Sequence, residues 1–257
     1  MSGAVRGLIG ALLLGGLAAG ALSLPAHGMI MRHDVEGEAT LADPERFAAI
    51  GKVFPDGEGV LVAPQWVLTA AHVATGASQK RLAVDFAGTR YKVVEVKAVD
   101  DHRPGDRDLA LMRLEKPVAG VEPLAISYDP LAVGTDVWLA GRGDYGDGEK
   151  GVVGNDGKFR MATNRVSALG ERGIELRMDA PGEDATKLEG VSGPGDSGTP
   201  ALVERGGKLI VVAIGSAGMS PKPGKYGQYG SRDLFSPMAP HRAWVEGVIG
   251  VSEGGAR

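Results

Sequence analysis

The chain has 257 residues, of which 43% are hydrophobic and 23% charged, with a formal net charge of −4. That is ample for a core of one or two domains, and the acidic balance without any Lys/Arg run argues against a nucleic-acid partner. Cysteine is absent, so disulfides and Cys-held metals are excluded and cysteine says nothing about compartment.

The 41 glycines, set among many short Val-rich runs, point to an all-β chain with many turns. Residues 1–28 read as a signal peptide. Arg6 is their one charge, an apolar run follows from Leu8 to Leu24, and small residues stand at Ala26 and Gly28, where a signal peptidase needs them. The rival reading, a membrane anchor, is disfavoured because the run is short and broken by Gly and Ser. The expectation is an exported protein, secreted or periplasmic, with no stable membrane association after cleavage. Met29-Ile30-Met31 is apolar, and the sequence then turns polar. His33, Asp34, Glu36 and Glu38 are spaced too loosely for a metal set and read as a solvated loop.

From Gly51 short strands alternate with turns: Gly51–Phe54, Gly59–Val62 and Trp66–Thr69, separated by Pro55-Asp56-Gly57 and Ala63-Pro64-Gln65. Arg81–Phe86 and Arg90–Val96 alternate as half-buried antiparallel strands do. The stretch from Asp100 to Asp108 is rich in aspartate and holds His102, but lacks EF-hand spacing and reads as a turn. Asp108 stands apart, because it enters the apolar run Leu109–Leu114 directly. A buried carboxylate there needs a partner, and a histidine N–H suits it. Residues 115–134, punctuated by Pro117, Pro123 and Pro130, read as a crossing segment, Val137–Gly143 as a strand and 144–157 as loop. Arg160–Val166, Gly173–Met178 and Lys208–Ile214 follow as strands, with a variable loop at 179–190. The end, Ala239–Val251, carries Trp244, Val245, Val248 and Ile249 on one helical face.

The run Gly193-Pro194-Gly195-Asp196-Ser197-Gly198-Thr199-Pro200 crowds glycines and prolines around one serine. Such a turn gathers backbone N–H groups toward one point, so Ser197 can be a nucleophile with an oxyanion hole beside it. Its plain reading is a Gly-Pro loop with an incidental serine.

Three segments decide between these: Trp66-Val67-Leu68-Thr69-Ala70-Ala71-His72, Asp108-Leu109-Ala110-Leu111, and Gly195-Asp196-Ser197-Gly198. Together they resemble the trypsin/chymotrypsin family of serine endopeptidases, in the chain order His, Asp, Ser. The resemblance implies two six-stranded antiparallel β-barrels of the chymotrypsin type, at 29–125 and 126–257, with a C-terminal helix packed on the second. It implies a triad of His72 as general base, Asp108 behind it and Ser197 as nucleophile. The amides of Gly195 and Ser197 would hold the oxyanion, and Ser216 would hydrogen-bond Asp108. His102 is a rival base, but nothing around it matches the pattern.

Departures from the family are visible. Gly57 and Val73 stand where many members carry a disulfide, Gly141-Arg142-Gly143 replaces Gly-Trp-Gly, and Ala217 replaces a tryptophan. The primary pocket implied by the resemblance includes Val191, Ser192, Ser216, Gly218 and Asp233. Val191, where trypsin-type members carry an aspartate, implies an apolar or small P1 residue. Asp233 on the opposite wall would favour Arg or Lys, unless Arg232 neutralises it. Asp196 would pair with the α-amino group of a chain beginning at Met29. The expectation is a monomeric enzyme acting on peptides or proteins, without cofactor or metal. Two other classes share parts of this pattern. A catalytically inactive trypsin-like binding protein would typically have lost a triad member. An α/β-hydrolase esterase needs Gly-x-Ser-x-Gly and a later histidine, and only His241 in the terminal helix follows Ser197.

Overall fold

Alternating apolar residues separated by Gly and Pro turns build strands that close on themselves, which leaves no exposed sheet edge. The computed structural model describes residues 29–76, 82–182 and 184–254; the expected signal peptide over 1–28 lies outside the described residues. After a short strand β1 (Met29–Met31), the first barrel comprises β2 (Ile50–Phe54), β3 (Glu58–Ala63), β4 (Trp66–Thr69), β5 (Ala83–Phe86), β6 (Thr89–Ala98) and β7 (Ala110–Leu114). These close in the order β2-β3-β4-β7-β6-β5, every pair antiparallel. Ala87 and Gly88, both at positive φ, make the tight turn joining β5 to β6. Val53, Val60, Leu68, Val84, Phe86 and Leu111 are buried in the core.

The second barrel comprises β8 (Asp136–Gly141), β11 (Arg160–Gly170), β12 (Gly173–Arg177), β14 (Pro200–Arg205), β15 (Lys208–Met219) and β16 (Arg232–Pro237). It closes as β11-β12-β16-β15-β14-β8 around Leu139, Ala162, Val166, Leu176 and Phe235. The expected architecture of two six-stranded antiparallel barrels is therefore present.

Three details differ from the sequence reading. Residues 144–157 are not all loop: β9 (Tyr145–Asp147) and β10 (Gly151–Gly154) pair with each other, and β9 runs parallel to β1. Gly-rich sequence gives little strand signal alone, but the arrival of β1 supplies a partner. Secondly, β1 also pairs with β13 (Gly190–Val191), so Met29–Met31 belongs structurally with strands of the second half. Thirdly, the terminal helix α2 (Arg242–Gly254), entered through a 3-10 turn at Ala239–His241, does not sit on the second barrel alone. Val245 and Ile249 line a hollow with Val62 of the first barrel and with Ile126 and Tyr128 of the segment between the barrels. His241 also bonds the carbonyl of Asp106 at 2.9 Å. The helix thus seals the junction, because its apolar face meets the seam where both barrels leave apolar surface. No helix among the described residues is long and apolar enough to cross a membrane.

Candidate active site

Strand pairing brings the histidine and the aspartate together. β4 and β7 pair with Thr69 opposite Ala110, so the residues just beyond their facing ends lie side by side. His72 is the second residue of the short helix α1 (Ala71–Gly76), and Asp108 lies two positions before β7. His72 Nδ1 and Asp108 Oδ2 are 2.6 Å apart, and the His72 amide donates to Oδ1 at 2.9 Å. The Ser216 hydroxyl on β15 donates to Oδ2 at 2.6 Å. Asp108 is 1% exposed, whereas the His72 side chain is 43% exposed and so presents its far edge to the cleft. Burial pushes the Asp108 carboxyl up, but the hydrogen bonds from His72 and Ser216 outweigh it and hold it below the ordinary value. An ionised Asp108 fixes the proton of His72 on Nδ1 and leaves Nε2 free to accept.

Ser197 sits in the turn between β13 and β14. Gly195 and Gly198 hold φ +91° and +87°, in the region glycine tolerates best. A Cβ at Gly198 would also run into the Glu58 carbonyl and the Thr69 hydroxyl. The turn is stitched by Asp196 N–H to Gly193 O at 3.0 Å, Gly198 N–H to Gly215 O at 2.9 Å and Glu58 N–H to Ser197 O at 2.8 Å. Ser197 stands between two hollows. One, of about 210 Å³, is lined by His72, Val73, Gly76, Pro55 and Asp56. The other, of about 250 Å³, is lined by Ser192, Ser216, Gly218, Tyr226 and Asp233 among others.

The second hollow differs from the expected pocket in one residue. Val191 does not line it; its side chain is fully buried with Ile30 and Met178 beneath. Asp233 does line it, buried, with Oδ2 accepting the Ser192 amide at 2.7 Å. The Tyr226 hydroxyl lies 2.7 Å from both Asp233 Oδ1 and the Ser192 carbonyl, and can donate to one of them at a time. Burial raises the Asp233 carboxyl to about 6, opposed by those donors. Arg232 does not neutralise it: strand alternation turns Arg232 outward, where it pairs with Glu175 at 2.9 Å. The Ser192 hydroxyl is buried beside the Asp233 carboxyl and also opposes the rise. Tyr226 went unnoticed in the sequence. Its ring covers Gly218, where any Cβ would collide with it, and a lone tyrosine in a Gly-rich loop carries no signal of that contact.

Asp196 is fully buried, and its oxygens accept the amides of Gly143 at 2.6 Å and Gly193 at 2.8 Å. Burial, with Asp233 and Asp144 nearby, raises it to about 7 against the pull of those amides. Met29 is equally buried, and the end of its side chain flanks Gly141 together with Asp196 Oδ1. A second residue the sequence reading missed is Glu58, which is 1% exposed and bonds Arg142 across the barrels.

Residues 57–214 match the model of the trypsin-like peptidase domain. Over 211 residues, 74% of this chain and 76% of the relative, it is 27% identical to snake venom serine protease HS114 of Bothrops jararaca. Human granzyme M is 27% identical over 222 residues, 76% of this chain and 79% of the relative. The match to snake venom serine protease KN14 of Trimeresurus stejnegeri, 31% identical, spans only 40% of that protein's length. The domain match covers more than half of the chain and contains His72, Asp108 and Ser197, so the chain belongs to the family of trypsin-like peptidases.

Proposed function

We propose that the protein is a serine endopeptidase working through an acyl-enzyme, with Ser197, His72 and Asp108 as its triad. The observation that carries this reading is the His72–Asp108–Ser216 hydrogen-bonded chain, ending at a cleft that His72 shares with Ser197. Ser197 Oγ attacks the scissile carbonyl while His72 Nε2 takes its proton; Asp108 holds the tautomer and stabilises the imidazolium that forms. The amides of Gly195 and Ser197 stabilise the oxyanion, a contribution of about 3–4 kcal/mol for a single donor. His72 then protonates the leaving amine, and water enters by the reverse path. The decisive experiment is labelling with a fluorophosphonate probe beside peptide hydrolysis. Wild type should take up the probe at Ser197, and Ser197→Ala and His72→Ala should abolish hydrolysis with the fold retained. Hydrolysis at near wild-type rate by either variant refutes the assignment.

The pocket favours a basic P1 residue. Asp233 supplies a buried carboxylate, and the Ser192 hydroxyl beside it supplies a second acceptor for an ammonium or guanidinium. Activation follows from the N-terminal strand. Met29 holds φ +58°, a conformation costing an unbranched L-residue about 1–2 kcal/mol. A chain that begins at Met29 has no φ there, and its α-ammonium can enter the region where Asp196 has no cationic partner among the described residues. Signal peptidase cleavage after Gly28 would produce that N-terminus during export, an expectation in keeping with relatives named for venom.

A further inference from the structure

Glu58 touches neither the triad side chains nor the pocket, yet it is one of the most deeply buried carboxyl groups, at 1% exposed; burial, with Asp196 nearby, pushes it up to about 8, opposed chiefly by the Arg142 guanidinium. Its backbone is seated under the nucleophile: its amide donates to the Ser197 carbonyl at 2.8 Å, and its carbonyl accepts the Thr69 hydroxyl at 2.7 Å. Its carboxylate crosses from the first barrel to the second. Oε1 accepts the Arg142 amide at 2.8 Å, and Oε2 accepts the Arg142 guanidinium at 3.0 Å. The Phe159 ring covers the guanidinium, with its centroid 3.7 Å from the guanidinium carbon. Gly143 comes next in the chain. It donates to Asp196 at 2.6 Å, and its Cα lies 3.2 Å from where a Cβ on Gly195 would stand. One continuous set of contacts therefore runs from β3 through Glu58, Arg142 and Gly143 to Gly195 and Asp196.

A buried ion pair is weak evidence for stability, because its desolvation cost offsets the attraction and apolar replacements are often neutral. What it supplies is geometry, since two acceptor oxygens facing two donors of one residue define that residue's position and orientation. We propose that Glu58 and Arg142 are positioning residues for the oxyanion turn. The pair holds Gly143 against Gly195, and so keeps the Gly195 amide where the tetrahedral oxyanion forms. This rests on the peptidase reading given above. It also accounts for Arg142 standing where family members carry a tryptophan: the guanidinium stacks on Phe159 as a flat ring would, and adds a charge that Glu58 can grip.

The test uses Glu58→Gln, Arg142→Met, Arg142→Lys and the Glu58→Gln/Arg142→Met double variant of the full protein. Rates are expressed per active site titrated with a fluorophosphonate. Gln offers one acceptor where Glu offers two, so the turn loosens without a cavity. Glu58→Gln should lower kcat about 10- to 100-fold with KM within about twofold, less than the loss of a whole oxyanion donor. Affinity for a peptide boronate, which mimics the tetrahedral state, should fall by the same factor, while affinity for the product peptide stays unchanged. The proton NMR signal of His72 Nδ1–H should stay in place, because the triad side is untouched. Arg142→Lys should retain intermediate activity. The double variant should be no worse than Arg142→Met, since removing both partners leaves no orphaned charge. A lower melting temperature with unchanged kcat per site, losses that multiply in the double variant, or a displaced His72 signal overturns the inference. Wild type that neither takes up the probe at Ser197 nor hydrolyses peptide overturns the peptidase reading, and this inference with it.

Discussion

Asp196→Asn should change stability in opposite directions in two forms of the protein that differ only in where the chain starts. With residues ahead of Met29 attached, the Asp196 carboxyl meets two backbone amides and no cationic side chain among the described residues. Burial raises it from 3.8 to about 7. That interval corresponds to at most about 4 kcal/mol. Between pH 4 and 7 the folded chain keeps a proton that the unfolded chain has released. Stability therefore falls as pH rises through that window and is level above it. The Asn side chain carries no such penalty, so the substitution should flatten the slope and stabilise this form at pH 8 by up to about 4 kcal/mol. The gain is reduced because an amide oxygen satisfies one of the two N–H donors well. In a chain that begins at Met29 the carboxylate has the α-ammonium as partner, and removing one member of a buried pair costs about 3–5 kcal/mol. Urea unfolding at pH 5 and pH 8, read through the tryptophan emission of both forms, measures the difference. A shift of the same sign in both forms would refute the pairing of Asp196 with the Met29 amine.

Asp108→Asn should lower kcat by about 10⁴-fold with little change in KM, because three donors converge on a carboxylate and an amide must turn its NH₂ toward one of them; a loss below tenfold would show that His72 does not depend on it. Profiling a peptide library on wild type and Asp233→Ala should show a preference for Lys or Arg at P1 that the substitution removes, and an unchanged profile would take Asp233 out of substrate recognition. Since Asp233 is raised to about 6, the ratio of basic to neutral P1 cleavage should fall as pH drops below that value in wild type and stay level in Asp233→Ala.

Much of this molecule is readable along the chain because its signals are local. Gly and Pro turns bound each strand, alternation marks which face is buried, and the serine turn advertises itself through Gly195 and Gly198, whose positive φ few other residues accept. His72 and Asp108 are legible because each adjoins an apolar strand, and the pairing of those strands is itself a consequence of their patterns. What the tertiary structure alone decides are relations between distant segments. β9 and β10 become strands because β1 arrives between them and β13, which no property of residues 144–157 dictates. The terminal helix shows an apolar face in sequence, but only the packed barrels determine that a seam awaits it. The resemblance places both Val191 and Asp233 in the pocket, yet backbone pairing buries the first against Ile30, and only the second lines the hollow. Glu58 and Arg142 lie on different barrels, and each alone reads as an ordinary surface charge. Closure of both barrels takes Glu58 out of water while the Arg142 side chain stays 20% exposed, and a carboxyl without water must find a donor.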